Sequence, residues 1–258
     1  MATFEQIERE IVALEQAVKA LAVEFHSAYS SYLTVLGKAV RQALILAIYH
    51  LCTQGYAETF LSLPFSQRQQ LQQDIRRLGQ QAIDELLTAI NTEREIATSE
   101  DGEISLIASN PMSLAQWQQN LETAIAHTLK TRSREANRLL QQVGILPNKL
   151  PEPLLEAAAS SAEASADAVA GPPNLLNLLV ETENNDPESE DSRVAHIVAI
   201  HLRLSEIEFA DAAVRTGRNQ IRHLLLKLNS LGREYHKKQR DRTVAEAEAA
   251  WRASWFDN

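Results

Sequence analysis

The feature that most constrains the fold is an apolar repeat over residues 4–39. Apolar side chains recur there at alternating intervals of three and four residues through more than four heptads. This spacing places them on one stripe of an α-helix, and such a helix must pack that stripe against other helices. The positions are Phe4, Ile7, Ile11, Leu14, Val18, Leu21, Phe25, Ala28, Tyr32, Val35 and Ala39.

A second stripe at coiled-coil spacing lies in residues 193–258, where no proline interrupts the pattern. It predicts one long carboxy-terminal helix, or a helical hairpin with its bend at residues 230–232. The two stripes can pair with each other or with copies of themselves, because both arrangements bury the same side chains. The second stripe contains Ile197, Ile200, Leu204, Ile207, Val214, Ile221, Leu225, Leu228 and Tyr235.

Local signals divide the region 1–147 into helices. Ser66 with Gln69, and Ser113 with Gln116, have the spacing of capping boxes, and Gly144 is placed to end a helix. Residues 36–51 are apolar on more than one face, which predicts burial by several neighbours. The predicted helices of this amino-terminal region cover about residues 3–54, 66–91 and 113–143.

The low aromatic share of 5% and the abundance of strong helix formers favour an all-α protein. We expect an elongated, coiled-coil-like helical bundle in which residues 193–258 pack on residues 1–147. Between them, residues 148–192 are rich in Pro, Ala, Ser and acids and contain few large apolar groups. That composition predicts a disordered acidic linker.

One apolar segment interrupts the linker, and we call it the leucine island, residues 174–181. It is predicted to form a short amphipathic helix that docks within the chain or enters a partner's groove. Trp251, Trp255 and Phe256 form a second candidate binding group, which either packs on the bundle or anchors a partner. The leucines of the island are Leu175, Leu176, Leu178 and Leu179.

Polar residues on the second stripe are candidates for fixing register or partner choice, since a polar group in an apolar seam costs stability. Asp211 could meet Arg215 or a basic group on a facing helix, and Arg218 could act in the same layer. Alternatively, a slight rotation of the helix brings Asp211 and Arg218 to solvent.

Basic residues form a stripe along the same segment. The stripe could bind anionic lipid or the phosphates of nucleic acid, with strong salt dependence. It could instead pair with the acidic amino-terminal helix or with the acidic linker, since the formal net charge is −9. The stripe contains Arg215, Arg218, Arg222, Arg233, Lys237, Lys238 and Arg240.

Motifs of catalysis and of cofactor or metal binding are absent from the sequence. No histidine has an acid three or four residues away, and there is no glycine-rich phosphate loop or G-x-S-x-G elbow. Cys52 lies in an apolar context that favours a buried thiol. We therefore expect no enzyme activity, no cofactor and no metal.

Two segments carry a family resemblance, LPFSQRQQLQQDIRRLGQQ from Leu63 and LGREYHKKQRDRTVAEAEAAWRASWF from Leu231. They resemble uncharacterised helical proteins of cyanobacteria, and the resemblance implies a bacterial cytoplasm. The acidic amino terminus also lacks the basic start of an export signal, and the longest apolar run, 43–49, is short for a membrane span.

The sequence thus favours a non-enzymatic, cytoplasmic structural or adaptor protein. It is expected to bind other proteins through helical seams and to self-associate. The alternative is a peripheral binder of an anionic membrane or of nucleic acid through the basic stripe.

Overall fold

The computed structural model describes residues 4–95, 110–147, 155, 157, 158, 172–182 and 193–255. Side chains at 92–95, 179–182 and 193–195 are not part of that description. Most of the predicted linker, and Phe256, lie outside the described residues.

The protein is all-α, with one two-stranded antiparallel sheet in the part of the chain that is described. Helix α1 continues through a π-helical turn, Leu51–Gly55, and a glycine-capped α4 ends near Gly144. The elements in order are α1 Phe4–His50, α2 Ala57–Ser62, α3 Phe65–Glu95, α4 Pro111–Gln142, β1 Leu175–Thr182, β2 Arg193–Ile200, α5 Leu204–Ala210 and α6 Ala212–Ala253.

Two helix starts differ from the predicted capping boxes. Asn110, rather than Ser113, caps α4, because its Oδ1 accepts a hydrogen bond of 2.9 Å from the Ser113 backbone N–H. Helix α3 begins directly after Pro64, whose carbonyl accepts from the backbone N–H of Gln67 at 3.0 Å. Gly144 does end α4, with φ of 78° in the left-handed region that glycine tolerates.

The prediction of helix for the leucine island and for residues 193–203 was wrong. Both segments form strands, β1 and β2, which pair from Leu175 with Ile200 to Thr182 with Arg193. Leu176, Leu178 and Ile197 form a cluster on one face of the hairpin, against which Leu155 and Ala158 pack. Successive residues of a strand point to opposite faces, so consecutive leucines can all be buried when both faces of the strand are covered. Helical periodicity does not reveal such a strand.

Side chains of α4 and of Tyr56, which precedes α2, fix the outer edge of β2 and the residues that follow it. The amide of Asn137 donates to the Ile200 carbonyl at 2.9 Å and accepts from the Ile200 N–H at 2.8 Å. Ser133 Oγ accepts from the Leu202 N–H, and the Tyr56 hydroxyl accepts from the Val198 N–H. These bonds satisfy backbone groups that an unpaired strand edge leaves open.

The described structure divides into two compact units. Unit 1 contains Met1–Leu33, Thr88–Ala124 and Arg215–Asn258, and unit 2 contains Thr34–Leu87 and Ile125–Val214. In unit 1, α1 and α6 run antiparallel, since Lys238 pairs with Glu10 and Lys227 pairs with Glu24. In unit 2, α1 and α3 run antiparallel at close range, since Gly37 lies against Ile83 and Gly79 lies against Arg41.

Gly37 permits that close approach in unit 2. A Cβ placed on Gly37 would lie only 3.2 Å from the Cα of Ile83. The backbones of α1 and α3 can therefore approach this closely only because glycine has no side chain. The core of the unit surrounds this contact. It includes Leu36, Val40, Leu44, Ile48, Leu78, Ala82, Leu86, Leu129 and Leu140.

Helix α6 is continuous through residues 230–232, where a bend was considered. Its buried side differs slightly from the predicted stripe, because Leu224 is buried whereas Leu225 is only half-buried. Val214, Arg218, Ile221 and Leu228 complete the buried side.

Candidate interaction surfaces

A buried polar cluster links three helices of unit 1 around Arg218. The guanidinium donates to Glu122 Oε1 at 2.6 Å and to the Tyr32 hydroxyl at 2.7 Å, and its Cζ lies 4.7 Å from the Tyr32 ring centroid. The hydroxyl of the buried Tyr29 donates to the same carboxylate. Gln118 donates to the Tyr29 hydroxyl at 2.9 Å, which extends the network along α4.

This cluster gives α6 a defined register against α1 and α4. Arg218 can satisfy both Glu122 and Tyr32 only when the three helices are in one alignment. Burial, together with the hydrogen bond to Glu122, raises the pKa of Tyr29 well above its ordinary value, so the hydroxyl remains a donor. The seam position of Arg218 was recognisable in the sequence. Glu122 and Tyr29 were not, since nothing local distinguishes a partly buried carboxylate from an exposed one.

Asp211 is not a seam residue. It precedes α6, and its Oδ1 accepts from the backbone N–H of Ala213 at 2.8 Å and of Val214 at 3.1 Å. It is therefore the N-cap of the helix, and neither of the two expected arrangements describes it. The error came from extending one helix through residues 201–211.

The cations of α6 fall into two groups. The first group forms ion pairs: Lys227 and Lys238 pair with Glu24 and Glu10 of α1, Arg218 pairs with Glu122, and Arg242 and Arg252 pair with Glu246 and Glu248 on α6 itself. The hydrogen bond to Lys238 lowers the pKa of Glu10. The second group is exposed and forms no ion pair within the described part of the chain: Arg215, Arg222, Arg233, Lys237 and Arg240.

The exposed cations share one face of α6 with exposed apolar residues. At about 100° per residue, these positions lie within about 40° of a common direction. The face extends about 54 Å from Arg215 to Trp251 at 1.5 Å per residue. We call it the outward face of α6; it contains Arg215, Arg222, Leu226, Arg233, Lys237, Arg240, Val244 and Trp251, and Trp255 follows in the turn just after the helix ends at Ala253.

The two carboxy-terminal tryptophans are exposed, by 66% at Trp251 and 73% at Trp255. Their ring centroids are 5.8 Å apart. The pairing of Lys238 with Glu10 brings the first described residue of α1, Phe4, near Val244, so both tryptophans lie beyond the end of α1. Of the two alternatives for Trp251 and Trp255, the structure shows the undocked one.

A second exposed apolar surface occurs in unit 2. Residues 36–51 were expected to be wrapped by neighbours on several faces, but only one side of α1 is buried there. Ile45, Leu46 and Tyr49 are exposed on the other side, and Leu61 and Phe65 are exposed just before and at the start of α3. Because α1 and α3 are antiparallel, all five lie at the same end of unit 2. We call this group the apolar end of unit 2.

The leucine island offers no open binding surface at the positions whose side chains are described. Leu175, Leu176 and Leu178 are buried in the hairpin, and the side chain of Leu179 is outside the description. The earlier alternative of a partner-binding island is therefore corrected to an intramolecular strand for these three leucines.

Two further features bear on chemistry. Cys52 is a buried free thiol whose pKa burial raises to about 11, which keeps it protonated. Among the described residues, no group of three or more His, Cys, Asp or Glu side chains is placed to hold a metal ion.

Helix α1 with its π-helical turn, Phe4–Gly55, is long and apolar enough by length and composition to cross a membrane. Half of its most apolar window is buried inside the protein, and the core helix of a soluble protein meets the same criteria.

Comparison of the chain with protein-family models, with curated proteins and with solved structures gives no match.

Proposed function

We propose that this protein is a non-enzymatic, cytoplasmic adaptor that associates with other protein chains, including copies of itself. The observation that supports the proposal is the apolar end of unit 2. Ile45, Leu46, Tyr49, Leu61 and Phe65 are large apolar side chains that face solvent within 21 positions of the chain. Several large apolar groups exposed at one end of a unit are typical of protein interfaces, whereas single exposed ones are not informative.

The chemistry of this surface fits a protein partner. Tyr49 and Phe65 supply large rigid rings, and aromatic side chains are enriched in the cores of protein interfaces. Ile45 and Leu46 lie on the turn of α1 that precedes Tyr49, so a partner helix could pack against these three residues together. Such packing would stabilise the complex by about 25 cal/mol for each Å² of apolar surface that it removes from water.

The test is the solution mass of the purified chain over a wide concentration range. We expect the mass to rise with concentration, because a second copy covers the apolar end. A triple variant, Ile45→Gln, Leu46→Gln and Tyr49→Gln, is expected to weaken self-association by at least about 100-fold, since each change removes roughly 1–2 kcal/mol of apolar burial. Gln preserves helix propensity at these exposed positions.

Val12→Gln with Val23→Gln is the matched control, because both valines are exposed on the same helix but lie in unit 1. The control should associate like the unchanged chain. A mass that stays monomeric at every concentration, or that responds equally to the triple variant and the control, would contradict the assignment of this surface.

A further inference from the structure

We infer that the outward face of α6 docks on an anionic phospholipid surface, with its cations at the headgroups and its apolar residues in the interfacial layer. This attachment goes beyond the proposed protein association, uses a different unit of the structure and can be tested separately. Three properties of the face support it: the state of its charges, the order of its residues and the position of its tryptophans.

The charges of the face are available to an external anion. The cations on the flanks and buried side of α6 are neutralised by acids, as Lys227, Lys238 and Arg218 show. Those of the outward face are exposed and form no ion pair in the described structure. In a chain with a formal net charge of −9, this is a concentrated positive surface.

Acids lie near the face but do not divide it. Glu234 and Asp241 are displaced toward the α1 side of the helix, by about 90° and 70° from the mean direction of the face. Glu248 lies closer to the centre and approaches Arg252 at 3.9 Å. The segment from Arg233 to Arg240 therefore presents three cations in line, Arg233, Lys237 and Arg240.

The order of residues favours lipid over nucleic acid. Leu226 is exposed between Arg222 and Arg233, and Val244 is exposed between Arg240 and Trp251. Apolar side chains in line with cations have nothing to contact on a phosphate backbone, whereas a membrane interface offers both headgroup charge and acyl chains. An amphipathic helix lying in the membrane plane matches this alternation.

The tryptophans supply the second attachment that stable membrane binding requires. Trp251 and Trp255 lie past the end of α1, so nothing in the described part of unit 1 prevents their rings from entering the interface. Tryptophan prefers that layer because its ring is apolar and its N–H is polar. Charge and apolar insertion together bind more stably than either alone.

The test is cosedimentation of the full chain with vesicles of phosphatidylcholine and phosphatidylserine, and with vesicles of phosphatidylcholine alone. We expect binding to the anionic vesicles that weakens steeply with salt. Changing Arg233, Lys237 and Arg240 to Gln should weaken it by roughly 100-fold, at about 1 kcal/mol for each cation near an anionic surface. Changing Trp251 and Trp255 to Gln should weaken it by roughly tenfold or more.

Lys19→Gln with Lys38→Gln and Arg76→Gln is the charge-matched control, since it removes three exposed cations that lie outside the face. This control should bind anionic vesicles as well as the unchanged chain does. Neither the control nor the Arg233, Lys237 and Arg240 variant should change self-association. The inference is overturned if anionic vesicles do not bind, if the control weakens binding as much, or if duplex DNA binds while vesicles do not. None of these outcomes bears on the apolar end of unit 2.

Discussion

Replacing Leu224 with aspartate is expected to unfold unit 1, whereas the same change at Leu226 should leave its melting curve almost unchanged. The two leucines are two residues apart on α6, but Leu224 is 4% exposed and Leu226 is 69% exposed. The Leu224→Asp change removes about 2–3 kcal/mol of stabilisation from the burial of leucine. It also places a carboxylate without a partner in the core.

The combined loss at Leu224 should reach at least about 5 kcal/mol, comparable to the whole stability of many domains. Thermal unfolding followed by circular dichroism measures it, and Leu226→Asp is the matched control. If Leu224→Asp melts like the unchanged protein, or if both variants unfold, then the buried side of α6 has been assigned incorrectly.

Replacing Arg218 with methionine is expected to destabilise the protein by about 3 kcal/mol, because it leaves the Glu122 carboxylate without its cation. Methionine keeps much of the volume of arginine, so the loss reports the charge and the hydrogen bonds rather than a cavity. For a chain of this size, the melting temperature should fall by roughly 6–12 °C.

A double-mutant cycle with Glu122→Gln separates this network from simple packing. The double variant should be more stable than the sum of the two single losses implies, by about 1–3 kcal/mol, because a neutral amide in place of the Glu122 carboxylate no longer needs a cation. Strictly additive losses would show that Arg218 and Glu122 do not stabilise each other. Chemical denaturation at equilibrium provides the free energies.

The helical periodicity of the sequence was enough to predict the class of fold and the main helices. Heptad spacing depends on residues near one another in sequence, and α1, α3 and α4 follow from it. Gly144 was also recognisable, because a left-handed C-cap has a local glycine signal. Asn110 was not predicted as the cap of α4, because Ser113 and Gln116, just after it, have the spacing of a capping box.

The hairpin could not be predicted in the same way. Leu175, Leu176 and Leu178 are compatible with an amphipathic helix, and what makes them a strand is pairing with β2 and cover on both faces. The bonds from Asn137, Ser133 and Tyr56 that fix β2 join residues 63 to 142 positions apart. Contacts at such separations leave no periodic trace.

The candidate surfaces were partly visible in the sequence. The basic stripe and the tryptophans stand out by composition, but only the structure separates Lys227 and Lys238, which pair with α1, from the cations that remain open. Conversely, the apolar run around Ile45 has the composition of a core segment. Its exposure depends on how many helices surround α1 at that point, which no local pattern specifies.

Helix α6 has two faces with different environments, and tryptophan fluorescence tests this division most directly. Trp117→Phe leaves Trp251 and Trp255 as reporters, and changing those two to Phe leaves the buried Trp117. At low protein concentration, acrylamide should quench the first variant nearly as well as free tryptophan and the second only weakly. Equal protection in both variants would contradict an open outward face of α6.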